Sequence, residues 1–452
     1  MKNSPLIFSE QSKEELIEII LKQQKRIEEL EKVVQEKQKS QAHKEFLKHL
    51  RLAQKVKHPK TPGQKAGHEG LTRIKPSEID RTVESRLKHC PDCHGALSKS
   101  QEVITHIQED IIPAHREVTY FKKHRYWCRG CEKIVMAPYA PEEVPHGYLG
   151  PNILVQTVMF KYHHGLPFNK IQELFESLCH FKVSEGALAQ ALQRMSEWLG
   201  VEMAVILKAI RSSPNIHADE TGWKISGSNH WLWAFVNERL ALYRITKSRG
   251  SKIPKEVLKD FKGILTTDFY AAYNMLTVRK QKCLVHLMRE MHELFVKDQS
   301  PGFLKYYKRL KRIIEDALKL KELHETLEPD CYQRRIKLLE KRLFLWSCRE
   351  HENKNLKRLS KRFLKHWLHL LTFLKEPGIS SNNNLAERMI RPHVIIRNRS
   401  FQNRSEKASQ AHEVLMSLLH TCTLQKRDAV SFFKEVFLKH RQGFNLPRLA
   451  LQ

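Results

Sequence analysis

Apolar residues recur through the first fifty positions in alternating steps of four and three. Leu16, Ile20, Ile27, Leu30 and Val34 share one stripe, with the polar Gln23 inside it, and no glycine or proline falls between Ser12 and Gln54. This heptad seam of roughly three repeats predicts a coiled coil over 1–56. The flanking positions are nearly all Lys, Glu and Gln, which leaves a narrow stripe suited to self-association; a single amphipathic helix packed on its own protein is the alternative. Periodicity lapses over 57–80, where Pro59, Pro62, Gly63, Gly67, Gly70 and Pro76 mark a linker. The Gly63–Gly70 run has glycines spaced as in a phosphate loop but lacks the closing Gly-Lys-Ser/Thr, so nucleotide binding is excluded there.

Helical spacing returns across 143–205. Lys170 to Ser177 predicts one helix, Leu178 to Val183 a turn, and Ser184 the N-cap of a second helix carrying Leu188, Leu192 and Met195. The outline is that of a helix-turn-helix, offering Glu185, Gln190, Gln193 and Arg194 to a major groove; any helical hairpin shares it. Beyond it the period changes to two. A short extended stretch, Asn215 to Trp223, runs into a polar turn, and Asp219 stands at the end of its apolar part. His230–Val236 and Leu240–Thr246 follow as strands with turns at 227–229 and 237–239, an antiparallel meander. A helix over about Lys252–Phe261 precedes the buried strand Gly263–Thr267, which delivers Asp268 at its carboxyl end, where ligands gather in open α/β sheets. The two aspartates are 268 − 219 = 49 residues apart.

Residues 304–376 contain no glycine and one proline, Pro329, with 20 Lys plus Arg against 10 Asp plus Glu. Helices broken near Pro329 are expected, forming a basic platform whose leucines also pack. Next comes Asn384-Leu385-Ala386-Glu387-Arg388, which reads as a helix start with Asn384 as N-cap and Glu387 as its capping-box partner. Pro392 disfavours helical geometry at Arg391, so a short or kinked helix is expected.

Composition adds a partner. The 452 residues carry 79 Lys plus Arg against 50 Asp plus Glu, a formal charge of +29. That excess is the footprint of a protein that neutralises many phosphates. Membrane binding is the weaker reading, because no apolar run approaches the roughly 18 residues of a spanning helix, and Leu6-Ile7-Phe8 is too short for a signal peptide; a cytoplasmic location is the expectation. Cys90-x-x-Cys93 and Cys128-x-x-Cys131 can place four thiolates tetrahedrally around a structural zinc ion, with redox disulfides as the rival use. The other five cysteines are scattered and read as buried thiols. Cys283-Leu284-Val285-His286 looks like half a metal site without a complementary pair, so Cys283 is assigned to the core and His286 to the vicinity of the acids.

Three separated carboxylates, Asp219, Asp268 and Glu387, can fold into one pocket for hard cations and so perform metal-assisted phosphodiester chemistry. Taken singly, each has an ordinary role as a solvated strand-end or capping acid. Taken together, His217-Ala218-Asp219-Glu220-Thr221, Thr267-Asp268-Phe269-Tyr270-Ala271-Ala272-Tyr273 and Asn383 to Pro392 resemble, in order, the three catalytic blocks of DDE transposases of the insertion sequence 66 family. The linker resembles that family's too. The resemblance implies an RNase H-like core and assigns Asp219, Asp268 and Glu387 as catalytic ligands of Mg2+ (or Mn2+). It further implies binding of terminal inverted repeats and target DNA, and two small accessory proteins of the same element. Arg388, Arg391 and Arg397 are candidate phosphate contacts. Departures are Phe269, where the family usually has glycine, and Arg397-Asn398-Arg399, where it usually has Arg-Lys-Asn.

The expected architecture is α+β and multidomain: coiled coil 1–56, linker 57–80, zinc-ribbon-like module 81–142, helix-turn-helix-like segment 143–205, RNase H-like mixed-sheet core 206–300, helical insertion 301–376, and the rest of the core with C-terminal helices over 377–452. The expected function is a bacterial, nucleoid-associated transposase that cuts and joins DNA. The rivals are a noncatalytic DNA-binding regulator derived from one and a host nuclease.

Overall fold

The computed structural model describes residues 78–83, 88–89, 91–96, 98–99, 114–137, 139–140, 143–144, 148–298, 300–349, 351 and 353–440. The expected coiled coil, nearly all of the linker, and Cys90 lie outside the described residues.

The first described elements form a small antiparallel hairpin, β1 (Arg125–Cys128) and β2 (Lys133–Met136), with Arg125 opposite Met136 and Cys128 opposite Lys133. Its apolar side chains are exposed, Trp127 and Ile134 both by 63 %. Three helices follow. Helix α1 (Pro151–Val158) opens with proline at its first position and runs on as a π-helical turn, Met159–His163. Helix α2 (Phe168–Cys179) precedes α3 (Glu185–Arg211), whose N-cap is Ser184: its Oγ accepts from the Ala187 N–H at 3.2 Å. Leu188, Leu192, Met195, Leu199, Met203, Ile206 and Ile210 form a continuous buried stripe along α3. These helices share one core with the sheet that follows.

That sheet has five strands: β3 (Asn215–Ile225), β4 (Ser228–Val236), β5 (Ala241–Thr246), β6 (Ile264–Thr267) and β7 (Arg279–Lys282), in the order β5-β4-β3-β6-β7. The first three form the antiparallel meander, and β6 and β7 run parallel to β3. Ser226 and Gly227, both at positive φ, make the tight β3–β4 turn, whose backbone twist matches the strands it joins. Between β5 and β7 lie two short helices, α4 (Lys252–Val257) and α5 (Ala271–Asn274). A Cβ on Gly263 would stand 2.5 Å from the Pro214 carbonyl oxygen, so only glycine lets the chain enter β6 this close to the start of β3. Ile264 N–H then donates to that same oxygen at 2.9 Å, which sets the β3–β6 register.

Helices α6 (Leu284–Lys297), α7 (Pro301–Glu322), α8 (Pro329–Ser347) and α9 (Lys354–His366), a 3-10 turn at Trp367–His369 and α10 (Thr372–Lys375) enclose a second core. Leu287, Met291, Phe303, Leu343, Trp346 and Phe363 are among its buried members. The chain closes with α11 (Asn384–Ser400), α12 (Glu406–Leu424) and α13 (Ala429–His440).

Neither edge of the sheet is left bare. Along β5 the N–H groups of Ala241, Tyr243 and Ile245 donate to Thr421 Oγ1 (3.1 Å), Ser417 Oγ (3.0 Å) and Glu413 Oε1 (2.7 Å) of α12. Four helical residues rise about 6 Å and two strand residues about 6.7 Å, so one side chain per turn meets every second backbone amide. At the other edge, Gln281 of β7 accepts from Phe373 N–H at 2.8 Å, and Thr372 Oγ1 donates to the Lys280 carbonyl at 2.7 Å. An open strand edge that would template pairing with another chain is satisfied by side chains instead.

Two local expectations are corrected. Asp219 sits inside the eleven-residue β3, because the β3–β4 hairpin continues past the point where pairing with β6 stops at His217. Helix α11 begins after Asn383 rather than Asn384 and runs through Pro392 for 17 residues. Burial of Ala386, Met389, Ile390, His393 and Ile396 along one face outweighs the hydrogen bond that proline removes.

Candidate active site

Parallel pairing of β3 with β6 places His217 opposite Thr266. The same offset of 49 residues relates Asp219 to Asp268, so both acids emerge at one level, just beyond the paired segment, on neighbouring strands about 4.8 Å apart. Each is tied to the backbone near it: Asp219 Oδ1 accepts from Glu220 N–H at 2.9 Å, and Asp268 Oδ1 from Tyr270 N–H at 2.9 Å. Beneath Asp268, the buried Lys282 donates from Nζ to Thr267 Oγ1 (3.1 Å) and to the Asp268 carbonyl (2.7 Å). Burial lowers the pKa of Lys282 to about 8, against the opposing pull of Asp268.

Glu387 reaches the pair from the opposite end of the chain. The wholly buried Asn383 donates from Nδ2 to the Ala218 carbonyl at 2.9 Å, and its Oδ1 lies 3.2 Å from His217 Nδ1. Its own carbonyl accepts from Glu387 N–H at 3.2 Å, so Glu387 stands one helical turn from an anchor fixed to the residue before Asp219. Asn383 therefore spends its side chain on β3, and neither it nor Asn384 makes the expected capping box with Glu387. The three acids feel one another. Burial pushes the Asp219 carboxyl up to about 8, and the negative charges of Glu220, Asp268 and Glu387 add to the push. Among the described residues, no Arg or Lys lies within ion-pair distance of Asp219, Asp268 or Glu387.

A fourth acid, Glu220, shows what neutralisation looks like here. Its Oε1 accepts from Arg249 Nε (3.2 Å) and Nη2 (2.8 Å), and its Oε2 from the Tyr273 hydroxyl at 2.7 Å. The Arg249 guanidinium in turn lies 4.2 Å from the Trp231 ring and 4.1 Å from that of Tyr270. Glu220 is thus paired with its own cation, whereas among the described residues the other three have no Arg or Lys partner. Glu387 Oε1 is the clearest case, buried and without a hydrogen-bond partner. Facing it at 3.5 Å is His286 Nδ1, equally buried and unpartnered, in an orientation that makes no hydrogen bond. Cys283 completes the group, with one ligand atom from each of Cys283, His286 and Glu387 within 4.8 Å of the others. Spacing in the sequence shows only the Cys-x-x-His half; the fold supplies Glu387.

The candidate phosphate contacts divide. Arg388 and Arg391 are exposed on α11. Arg397 turns back to β3, donating to Thr221 Oγ1 at 3.1 Å and to the Gly222 carbonyl. On α3, Glu185, Gln190 and Arg194 are exposed and Gln193 is half-buried. Phe269, beside Asp268, points its ring toward α9, 4.3 Å from the Arg362 guanidinium and 5.6 Å from the His366 ring.

Of the four paired cysteines, Cys93, Cys128 and Cys131 are described, and none is in a disulfide. Cys128 ends β1 and Cys131 lies in the β1–β2 turn, where backbone and side-chain hydrogen bonds from Cys131 lower the Cys128 pKa. His94 and Glu132, each directly after the second cysteine of its pair, both adopt left-handed backbone (φ 58° and 48°). Two turns of like backbone, one of them with donors aimed at the Cys128 sulfur, suit thiolate ligation of zinc.

Two family models match the chain. The one described as "Transposase IS66 family" covers residues 146–411, more than half of the chain, and the one described as "zinc-finger binding domain of transposase IS66" covers residues 88–132. Two relatives come from Sinorhizobium fredii (strain NBRC 101917 / NGR234), the uncharacterized proteins y4hP and y4qI. The first is 24 % identical over 403 residues, 80 % of this chain and 72 % of the relative. The second is 24 % identical over 431 residues, 83 % of this chain and 79 % of the relative. With its mixed five-stranded sheet, its helical insertion and a zinc-finger domain ahead of them, the chain belongs to the IS66 family of transposases.

Proposed function

We propose that the protein cuts DNA at the terminal inverted repeats of its element and joins the ends to target DNA, with Asp219, Asp268 and Glu387 as ligands of catalytic divalent ions. The observation that carries this reading is the shared level of Asp219 and Asp268 on adjacent parallel strands, reached by Glu387 through the Asn383 anchor. Their mutual repulsion, the lack of Arg or Lys partners among the described residues and the orphaned Glu387 oxygen suit a hard cation such as Mg2+ or Mn2+. When bound, two such ions supply activation of water or a DNA 3′-hydroxyl and stabilisation of the leaving oxygen. The order and directions of the five strands support the RNase H-like reading of the core.

The chain's own residues have the remaining work of positioning, which dominates phosphoryl transfer. Lys282 holds the backbone at Asp268 from below, and the Arg249–Glu220–Tyr273 group stiffens the strand beside Asp219. Arg388 and Arg391 face solvent on the catalytic helix and hold the DNA backbone near the acids; Arg397 braces that helix against β3. Pairing of two copies, the expectation from the heptad pattern over 1–56, would suit an enzyme that brings two DNA ends together. No helix among the described residues is long and apolar enough to cross a membrane, in keeping with action on cytoplasmic DNA.

The test is incubation of the full chain with DNA carrying its element's terminal repeats, Mg2+ and the element's accessory proteins. Wild type nicks at the repeat ends, whereas Asp268→Asn binds the same DNA and does not nick. Equal nicking by both removes Asp268 from the mechanism, and binding without nicking by either favours the regulator.

A further inference from the structure

We infer that the outer face of α9 is a phosphate track that leads duplex DNA to the catalytic acids, an inference that rests on the DNA-cutting reading above. Helix α9 carries Lys354, Lys357, Arg358, Lys361, Arg362 and Lys365 and no acidic residue. Leu356, Leu359, Ser360, Phe363 and His366 are buried on its inner face, which leaves Lys354, Lys357, Arg358, Lys361 and Lys365 exposed on the other. Lys354, Arg358, Lys361 and Lys365 follow one another by four, three and four, so they form a single row along about 17 Å of helix.

The neighbouring helices are basic too, but α7 and α8 carry acids among their cations, and some of these are paired, whereas α9 carries none. Arg342 of α8 pairs with Asp316 of α7 at 2.7 Å, Lys311 with Glu315 at 3.8 Å, and Lys375 of α10 with Glu340. Among the described residues, none of the five exposed cations of α9 has an acid within ion-pair distance. A row of unneutralised cations about 5–6 Å apart forms a positive strip suited to a polyanion such as duplex DNA, whose phosphates are denser than the cations.

The row also ends in the right place. Arg362, on the flank of α9, donates to Glu290 Oε1 at 2.6 Å and lies 4.3 Å from the ring of Phe269, the residue after Asp268. Arg362 and Lys365 are close enough to Lys282, which holds the Asp268 carbonyl, to act on its charge. A backbone following α9 toward its carboxyl end therefore arrives beside Asp268. Phe269, at odds with the glycine usual at this position, gains a role as the packing link between track and site.

The test is a salt titration of duplex-DNA binding by the full chain, read by fluorescence anisotropy. It compares wild type, the quadruple variant K354Q/R358Q/K361Q/K365Q, and a charge-matched control on α8, R334Q/R335Q/K337Q/K341Q, whose four positions are also exposed. Each lost phosphate contact flattens the slope of log K against log salt by about 0.9, so the α9 variant is expected to lose about 3 to 4 from its slope while the control keeps the wild-type value. Melting temperatures of all three proteins, measured alongside, stay equal because the altered side chains face solvent. An α9 variant with the wild-type slope, or a control that flattens as much, overturns the track and leaves the catalytic reading intact. A wild type whose binding does not depend on salt overturns both.

Discussion

The sheet core and the zinc-finger hairpin solve the problem of holding a shape in opposite ways. In the core, Leu232, Trp233, Ala234, Phe235 and Val236 of β4 are all wholly buried, and both sheet edges are closed by side chains of α12 and of the segment around α10. In the hairpin, Tyr126, Trp127 and Ile134 face outward, and β1 and β2 bury almost nothing. Order in the first region is stored in apolar burial, roughly 25 cal/mol for each Å2 removed from water. Order in the second is expected to come from its cysteines and a structural zinc ion. A single chain is thus expected to carry a region that tolerates loss of metal and one that does not.

Removing zinc is the strongest way to separate them. Structural zinc is worth on the order of 10 kcal/mol to small modules, so chelation is expected to expose the backbone around 114–137 to protease and hydrogen exchange while the core keeps its melting temperature. Cys131→Ser should reproduce the effect, checked by zinc content and limited proteolysis. The converse break is Trp233→Ala, which empties a wholly buried indole site in the core. It is expected to cost about 3–5 kcal/mol in denaturant unfolding and to leave zinc content unchanged.

Acid provides a third separation. His412 and His420, both wholly enclosed beneath α11, have pKa values pushed down to about 3 by burial, with help from the Lys161 charge at His412. In the unfolded chain they titrate near 6.5. Between those limits the unfolded state binds more protons, so their contribution is complete above pH 6.5 and is lost progressively as pH falls toward 3. Core stability is expected to drop by up to about 1.4 kcal/mol per pH unit for each histidine, and His412→Gln should flatten the slope measured by denaturant titration. A smaller effect belongs to Ser417→Ala, which leaves the buried Tyr243 N–H without its acceptor. A cost of about 1–3 kcal/mol in thermal or denaturant unfolding is expected, with earlier exchange of the β5 amides.

What could be read from the chain alone follows the range of the forces involved. The β3–β4–β5 meander, the buried strand before Asp268 and the paired cysteines rest on local patterns, alternation, turn residues and short spacing, and the fold reproduces the strands within a few residues. The acids were visible as blocks, but nothing local says that Gly263 sets the register that brings Asp219 level with Asp268. Asn384 reads as the cap because helix starts favour asparagine, whereas the cap position falls on Asn383, whose amide is committed to Ala218, 165 residues away. Arg249 with Glu220 and His286 with Glu387 are likewise pairings across the fold. The polar stripe Glu413, Ser417, Thr421 carries a four-residue spacing that could have marked α12 as the cover of a strand edge, but the strand it serves is known only once both are in place. Pro392 misled for a different reason: a local penalty of a few kcal/mol was outweighed by the buried face of α11.

The central claim is that three distant acids share divalent ions, and Mn2+ binding tests it without relying on turnover. Electron paramagnetic resonance titration of the zinc-loaded full chain is expected to show Mn2+ bound by wild type, and affinity at least about tenfold weaker in Asp219→Asn, Asp268→Asn and Glu387→Gln alike, since each removes one ligand of a shared site. Mn2+ affinity unchanged in all three variants would contradict the account, because the acids would then lie near one another without serving a common ion.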